Sequence, residues 1–402
     1  MITTTEALES VLAAMPLFSS ESIPAAAATG RVLRQTIRAE RDQPPFDRVM
    51  MDGIAFSWSD FDGGLRQFPV QAAQAAGDHT LRLDSGHCIE IMTGASLPEN
   101  ADCIVPVEHI QITDGKAEIE SSYEVKIRRF IHPRGSDFAQ GAHLLQPGKR
   151  VSPMDIAIIA SCGETDVNVT IDPVIRVVST GNELVPSGQA VEAHQIRLSN
   201  GPALIALLVS HGYRRCQHDH IVDDIDVLRE RLAEHLDQAS VVVISGGVSM
   251  GRADYVPQVL TELGVEVIFH GISQRPGRPM WFGKGPKDQV VFALPGNPVS
   301  ALICCRQYVI PALGKASGAR ETPPEIASLA SNFSFKPKLT CLQPVKLISS
   351  AAGQLLALPV ETNTSGDFAS LSATDGYIEL ARDQTDFPSG TPALLHRWNM
   401  HP

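Results

Sequence analysis

The sequence predicts a multidomain protein of the α/β plus β class, and three observations predict it. The chain has 402 residues, and domains of about 100–200 residues imply roughly two to four of them. After about residue 171, short apolar strands alternate with helical patterns, the signature of a doubly wound domain with a largely parallel sheet. On either side of that stretch, short alternating apolar segments broken by Gly and Pro read as strands and turns.

Along the chain, residues 5–17 read as a short amphipathic helix and 24–33 as a second. Pro44-Pro45 breaks any helix and marks a boundary. Beyond it, segments such as Cys88-Ile89-Glu90-Ile91 and Cys103-Ile104-Val105 predict a β-rich module to about residue 142. The α/β stretch then runs strand 174–179, helix 201–211, strand 214–221, helix 224–236 and the buried strand 241–244. It continues through helix 253–263 and strands 265–269 and 290–294 to a long closing helix at 299–313. Pro323-Pro324 ends the alternation, and strands at 345–348, 355–360 and 377–380 predict a small barrel or sandwich.

Composition narrows the function. Hydrophobic residues make up 43% and charged residues 19%, which fits globular folding throughout. A formal charge of −12 argues against general binding to nucleic acid or to anionic membranes, which need basic surfaces. An anionic substrate would have to meet a local basic cluster. The seven cysteines include no Cys-x-x-Cys pair, and Cys304-Cys305 falls in an apolar helical run, so buried core thiols are predicted rather than disulfides or a zinc site. Residues 1–17 lack a signal peptide's basic start, and no apolar run approaches the roughly 20 residues of a membrane span, so the expected compartment is the cytoplasm.

Three strand-to-helix turns carry the candidate chemistry, because ligands of open parallel sheets sit beyond the carboxyl ends of the strands. Ser245-Gly246-Gly247-Val248-Ser249 lets successive backbone N–H groups converge on an anion, although it matches neither a Walker A loop nor a dinucleotide fingerprint. Pro295-Gly296-Asn297-Pro298 places a proline where a helix starts. Ser179-Thr180-Gly181-Asn182-Glu183 ends a strand in small polar residues and an acid. Arg275 and Arg278 sit three residues apart on a Pro-Gly turn, and guanidinium forks match tetrahedral oxyanions. Asp52, Asp137, Glu183, Asp223 and Asp254 are acids suited to Mg²⁺ bridging phosphate oxygens. Taken singly, each is equally a tight turn, a helix start, a cap or a surface charge.

Taken together and in order, these segments resemble the molybdopterin molybdenumtransferase family, the MoeA type that also includes the gephyrin E domain. The resemblance runs through Gly30-Arg31-Val32-Leu33, Pro45-Phe46-Asp47-Arg48, Met51-Asp52-Gly53, Ile91-Met92-Thr93-Gly94-Ala95 and Arg134-Gly135-Ser136-Asp137. It continues through Ser179 to Glu183, Ser199-Asn200, Asp223, Ser245 to Asp254, Pro276 to Pro279, Leu294 to Ser300, Thr364-Ser365-Gly366 and Asp375-Gly376.

The resemblance implies an elongated protomer of four parts. These are a discontinuous helical and linking domain (1–44 and 143–172), a β-rich insert (45–142), a molybdopterin-binding α/β domain (173–320) and a small C-terminal β-barrel (321–402). It implies a homodimer whose cleft lies between the α/β domain of one subunit and the insert of the other, with a molybdopterin adenylyltransferase as upstream partner. The implied reaction takes adenylylated molybdopterin and molybdate as substrates with Mg²⁺ as cofactor, hydrolyses the adenylate and releases AMP as molybdenum enters the dithiolene. Asp52, Thr93, Asp137, Glu183, Asp223 and Asp254 match the family's catalytic set, with Asp223 and Asp254 as metal residues. Gly246, Gly247, Ser249, Pro295, Gly296, Asn297 and Pro298 match the pterin and nucleotide cradle, and Arg275, Arg278 and Ser365 the molybdate pocket.

The chain departs from the family pattern at several positions. Arginines at 275 and 278 stand where lysines are commoner, which keeps the charge. Ile54 replaces an aromatic residue, Val49 replaces a serine, and Gln343 aligns with a basic position that helps hold molybdate. Losing one charge to a dianion weakens binding by roughly 1.5–3 kcal/mol in a desolvated site. These three changes motivate the alternative of a catalytically weak paralogue that binds or carries molybdopterin or the finished cofactor.

Overall fold

The computed structural model describes residues 1–248, 255–361 and 366–399. Its centre is a sheet apolar on both faces. Ile175, Val177, Val241, Val243, Val290 and Phe292 point to one side, where Leu204, Leu208 and the helical run 298–316 cover them. Val178, Val242, Ile244, Val291 and Ala293 point to the other, beneath Leu228, Leu232, Val259 and Leu260. Side chains alternate along a strand, so these near-continuous apolar runs demand helices on both faces. The doubly wound domain follows from that demand.

The strand order is Cys216–Ile221, Ile175–Thr180, Val241–Ser245, Val290–Leu294, Trp281–Lys284, Glu266–His270. The first four pair in parallel, as expected. Trp281–Lys284 was not anticipated and runs antiparallel to both neighbours. It is only four residues long and contains Gly283, whose missing side chain leaves room for the Trp281 ring.

Two helical expectations need correction. Residues 24–33 contain only a 3₁₀ turn, Ala25–Ala27. The left-handed Gly30 (φ +82°) turns the chain, and Val32 and Leu33 then bridge to Arg150 and Val169 instead of coiling. The closing helix is split into Pro298–Cys304, a wide π turn at Cys305–Val309, and Ile310–Ala316. Pro311 has no N–H and its ring crowds the carbonyl four residues back, so the preceding turn widens. Helix Thr4–Ala14 starts on a capping box between Thr3 and Glu6 and stops short of Pro16, because the residue before a proline is pushed out of the helical region. Its Ala7 and Val11 pack into the α/β core. Of the segment 253–263, the helix Val256–Glu262 lies within the described residues, and Ala253 and Asp254 lie outside them.

Strand Ser20–Pro24 pairs antiparallel with Asp166–Thr170 and closes the stem from which the insert projects. The insert is a six-stranded sheet in which Ala55, Ile89, Ile91 and Ile104 face one core and Ile54, Phe56, Cys88 and Val105 the other. At the C-terminus, strands Thr340–Ser349, Leu355–Pro359, Glu325–Leu329, Pro392–Arg397 and Gly376–Leu380 close into a five-stranded barrel, since the first also pairs with the last. The barrel docks on the α/β domain through a shared core of Val299, Ile303, Leu342, Leu371 and Tyr377. Cys304 and Cys305 are buried free thiols. Among the described residues no helix is long and apolar enough to cross a membrane.

Candidate functional site

In chain order, the first strand of the α/β sheet is flanked by the second on one side and the third on the other. The direction of winding therefore reverses between Ile175–Thr180 and Val241–Ser245, and such a switch point leaves a crevice at the carboxyl ends of the strands. A cavity of about 770 Å³ opens there. Its lining includes Glu183, Asp223, Gly246, Gly247 and the turn Pro295, Gly296, Asn297 and Pro298, eight of the residues singled out by sequence. Thr180, Asn200 and Ser245 complete the floor, and Phe368 reaches in from the barrel end.

The glycines are needed sterically. Gly246 has φ +103°, and a Cβ there would stand 2.7 Å from the Thr180 carbonyl oxygen. Gly247 has φ +67°, and a Cβ would meet Val256 Cγ2 at 2.6 Å. Gly181 likewise leaves room for the Glu183 carboxylate, whose Oε2 would be 2.6 Å from an added Cβ. Two of the turns are bound together by Asn200, whose side-chain amide donates to Ser245 Oγ and to the Gly296 carbonyl, both at 2.8 Å. His220 Nε2 lies 2.8 Å from the Gly181 carbonyl oxygen and fixes the third. The Asp223 backbone N–H donates to Asn182 Oδ1 at 3.1 Å, and Asp223 is among the residues lining the cavity. Its neighbour Asp224 instead caps helix Ile225–Gln238 through the N–H groups of Asp226 and Val227.

Asp52, Thr93 and Asp137 lie on the insert and do not line this cavity. Thr93 donates its N–H and its hydroxyl to Asp52, and the N–H first, then the hydroxyl, hold that carboxyl below the usual carboxylate range. Asp137 faces His132 Nε2 at 3.0 Å, and Arg48 donates to His132 Nδ1 at 3.1 Å. Arg275 and Arg278 are exposed on their turn and are not part of the lining, although Pro279, the next residue, is. Ser249, Asp254 and Ser365 lie outside the described residues.

The departures from the family pattern are also located. Val49 and Ile54 are buried in the two cores of the insert, each within a cluster of apolar side chains. Gln343 is half-buried on a barrel strand, its amide donating to the carbonyls of Pro344 and Val360.

Sequence reasoning passed over Asn200 as a site residue, and also Thr180, His220 and Gln274. A polar residue at a strand end or at the first turn of a helix was the available signal for Thr180 and Asn200. His220 and Gln274 act through tertiary contacts that carry no local signature.

A second hollow, of about 470 Å³, lies at the opposite edge of the sheet among Arg176, Arg214, Arg215 and Gln238. It sits where strands begin and where helix Ile225–Gln238 ends. Ligands of open parallel sheets sit beyond the carboxyl ends of the strands, so this hollow at their amino ends is not the switch-point site.

Residues 2–163 match the MoeA N-terminal region (domain I and II), 176–315 a probable molybdopterin binding domain, and 327–398 the MoeA C-terminal region (domain IV). The chain is 36% identical to a molybdopterin molybdenumtransferase of Synechocystis over 400 residues, covering 99% of this chain and all of the relative. It is 30% identical to a Bacillus subtilis protein of the same name over 375 residues, 90% of this chain and 85% of the relative. The crystal structure of a molybdopterin biosynthesis MoeA protein from Pyrococcus horikoshii superposes with a TM-score of 0.84 at 29% identity, covering 99% of both chains.

Proposed function

Because the chain belongs to the molybdopterin molybdenumtransferase family, a group of transferases in molybdenum cofactor biosynthesis, we propose that its switch-point cavity binds adenylylated molybdopterin and hydrolyses the adenylate as molybdate is inserted. The observation that carries this reading is the convergence of two glycine- and proline-rich turns with two carboxylates in one cavity. Backbone N–H groups of the Gly246–Gly247 turn and the helix starting at Pro298 suit phosphate oxygens. Water adds to a phosphorus of the phosphoanhydride, the P–O bond between the two phosphates breaks and AMP leaves; the two dithiolene thiols form S–Mo bonds as their protons and one molybdate oxygen depart as water, with molybdenum unchanged in oxidation state.

The donor chemistry fits Mg²⁺. Among the described residues no group of three or more His, Cys, Asp and Glu is arranged as a metal cluster. Mg²⁺ needs less, because it keeps several waters and takes one or two carboxylates with substrate phosphates. Glu183 and Asp223 are oxygen donors on the cavity wall, and Asp223 with Asp254, which lies outside the described residues, is the proposed pair. When bound, the ion supplies charge neutralisation at the phosphate oxygens. Glu183 would then orient the attacking water.

The acids of the insert enter the proposal through a second subunit. Asp52, Thr93 and Asp137 are exposed, and the cavity of their own chain lacks them, which supports a homodimer with each cleft shared between subunits. The four-domain division with bounds at 44, 142, 172 and 320 is proposed on the same footing, as are an upstream adenylyltransferase partner and a cytoplasmic location. The burial of Val49 and Ile54 supports reading these two departures as changes of core packing rather than of the reaction.

Purified protein given adenylylated molybdopterin, Mg²⁺ and molybdate should release AMP over many turnovers and form active cofactor. Tight binding without AMP release would overturn the proposal in favour of a molybdopterin-binding protein.

A further inference from the structure

The basic turn has a foundation that neither its sequence nor the reaction explains. Gln274 is fully buried at its base and donates through Nε2 to the Pro276 carbonyl at 3.0 Å. Its Oε1 accepts from the hydroxyl of Tyr308, also fully buried. Tyr308 stands in the wide turn Cys305–Val309 that Pro311 imposes on the closing helix. On the other side of the same amide, Cys304 Sγ lies 3.5 Å from Nε2. Gly277 (φ +93°) closes over this cluster, and a Cβ there would press on Cys304 and on Gln274 Nε2 at 2.6 Å. The barrel grips the turn as well, since Gln274–Arg275 pairs in parallel with Thr340 and Cys341.

We propose that Tyr308 and Gln274 are positioning residues for the oxyanion substrate: through the Pro276 carbonyl they fix the turn that presents Arg275 and Arg278, and so set the affinity for molybdate. The inference rests on the reading of that turn as the molybdate pocket. A buried amide with both ends satisfied has one stable orientation, because turning it would leave a donor or an acceptor unpaired in an apolar surrounding. The Pro276 carbonyl is thereby held in one place, and the two guanidiniums flank it in sequence. A tetrahedral dianion gains from paired guanidiniums only while their spacing is held. A loosened turn would therefore lower affinity for the oxyanion and leave the adenylate, which the switch-point cavity holds, unaffected.

The test is cofactor formation by full-length protein at varied molybdate and, separately, at varied adenylylated molybdopterin. Tyr308→Phe should raise the half-saturating molybdate concentration roughly tenfold, with the half-saturating adenylate unchanged within about twofold. Gln274→Met, which loses the amide's bonds to Pro276, Tyr308 and Cys304, should do the same and serves if the tyrosine variant folds poorly. Val309→Ala, a neighbouring core truncation, should lower the melting temperature without altering the molybdate dependence. Arg275→Ala and Arg278→Ala should each raise the molybdate requirement. Impaired arginine variants beside a wild-type molybdate dependence in Tyr308→Phe and Gln274→Met would overturn the inference and spare the pocket. Arginine variants that behave as wild type would overturn the pocket reading and the inference with it. Equal rises in both substrate requirements would make the cluster a general support of the fold and also overturn it.

Discussion

Thr93 engages one oxygen of Asp52 twice, its backbone N–H at 2.6 Å and its hydroxyl at 2.8 Å from the same Oδ1. Both groups donate, so the ionised carboxylate is favoured over the acid, and the larger share comes from the backbone N–H. The pair sits on the exposed face of the insert, where a second subunit would meet it. Thr93 thereby keeps Asp52 charged and aimed.

Replacing Thr93 with Val keeps the N–H and removes the hydroxyl. A carboxylate whose pKa is depressed in the folded protein contributes its ionised form at higher pH and loses it as pH falls through that pKa. Weakening the hold raises the folded pKa, so the acid limb of the pH profile for AMP release should move upward in Thr93→Val. It should remain below the ordinary carboxylate range, because the backbone bond persists. An unmoved acid limb would show that Asp52 ionisation does not govern the rate.

The proposed sharing of the cleft between subunits predicts complementation. Asp52→Ala and Asp223→Ala should each be inactive as homodimers, one lacking the insert acid and the other the cavity acid. Mixed dimers contain one cleft with both defects and one with neither, so each mixed dimer should have about half the wild-type activity, and co-expressed variants that assemble at random about one quarter. Failure to recover any activity would place both acids in a cleft built by a single chain.

Asn200 predicts a binding defect. Asn200→Ala removes the bonds to Ser245 Oγ and to the Gly296 carbonyl, together worth about 1–3 kcal/mol, and releases the two turns from each other. The expected result is a KM for adenylylated molybdopterin raised roughly tenfold or more, with molybdate dependence unchanged. A KM equal to that of wild type would mean that the turns hold their places without this bridge.

Most of the α/β domain was legible because its strands are apolar on both faces, a pattern that surface strands do not share. The three turns were legible for a related reason, since Gly and Pro are required where backbone approaches backbone, as at Gly246. Two kinds of element were not. Trp281–Lys284 is too short and too irregular to announce a strand, and exists because it pairs with neighbours on both sides. Residues 24–33 have the composition of a helix, but Gly30 and the bridges to Arg150 and Val169 prevail over local propensity. In the site, eight residues that line the cavity could be named from sequence, while Thr180 and Asn200 on the same wall, His220 behind it and Gln274 beneath the basic turn could not.

The departures at 49 and 343 predict opposite outcomes on reversion. Val49→Ser would place a hydroxyl in the core formed with Ile89, Ile91 and Ile104, which costs about 1–3 kcal/mol without a bonding partner. Urea denaturation should show that loss, with no gain in turnover. Gln343→Arg restores a cation at a half-buried position and should lower the molybdate requirement, a change read from the same titration of cofactor formation. A Val49→Ser protein that gains turnover would show that the missing hydroxyl belongs to the reaction.

The barrel, finally, is not an appendage that can be removed cleanly. Val299 and Ile303 come from the helix that starts at the Pro298 turn, and Leu342, Leu371 and Tyr377 from the C-terminal region bury them. Tyr377 donates its hydroxyl to Gln307 at 2.6 Å, and Gln307 in turn donates to Glu379 at 3.4 Å. Deleting residues 321–402 would expose that apolar surface on the very helix whose first turn lines the cavity, and would leave the Gln307 amide without either partner. The truncated chain should therefore melt at a lower temperature, bind a hydrophobic dye and lose adenylate binding along with molybdate use. A truncated protein with the wild-type melting point and intact adenylate binding would instead make the barrel an independent unit, and would confine its contribution to the molybdate end of the reaction.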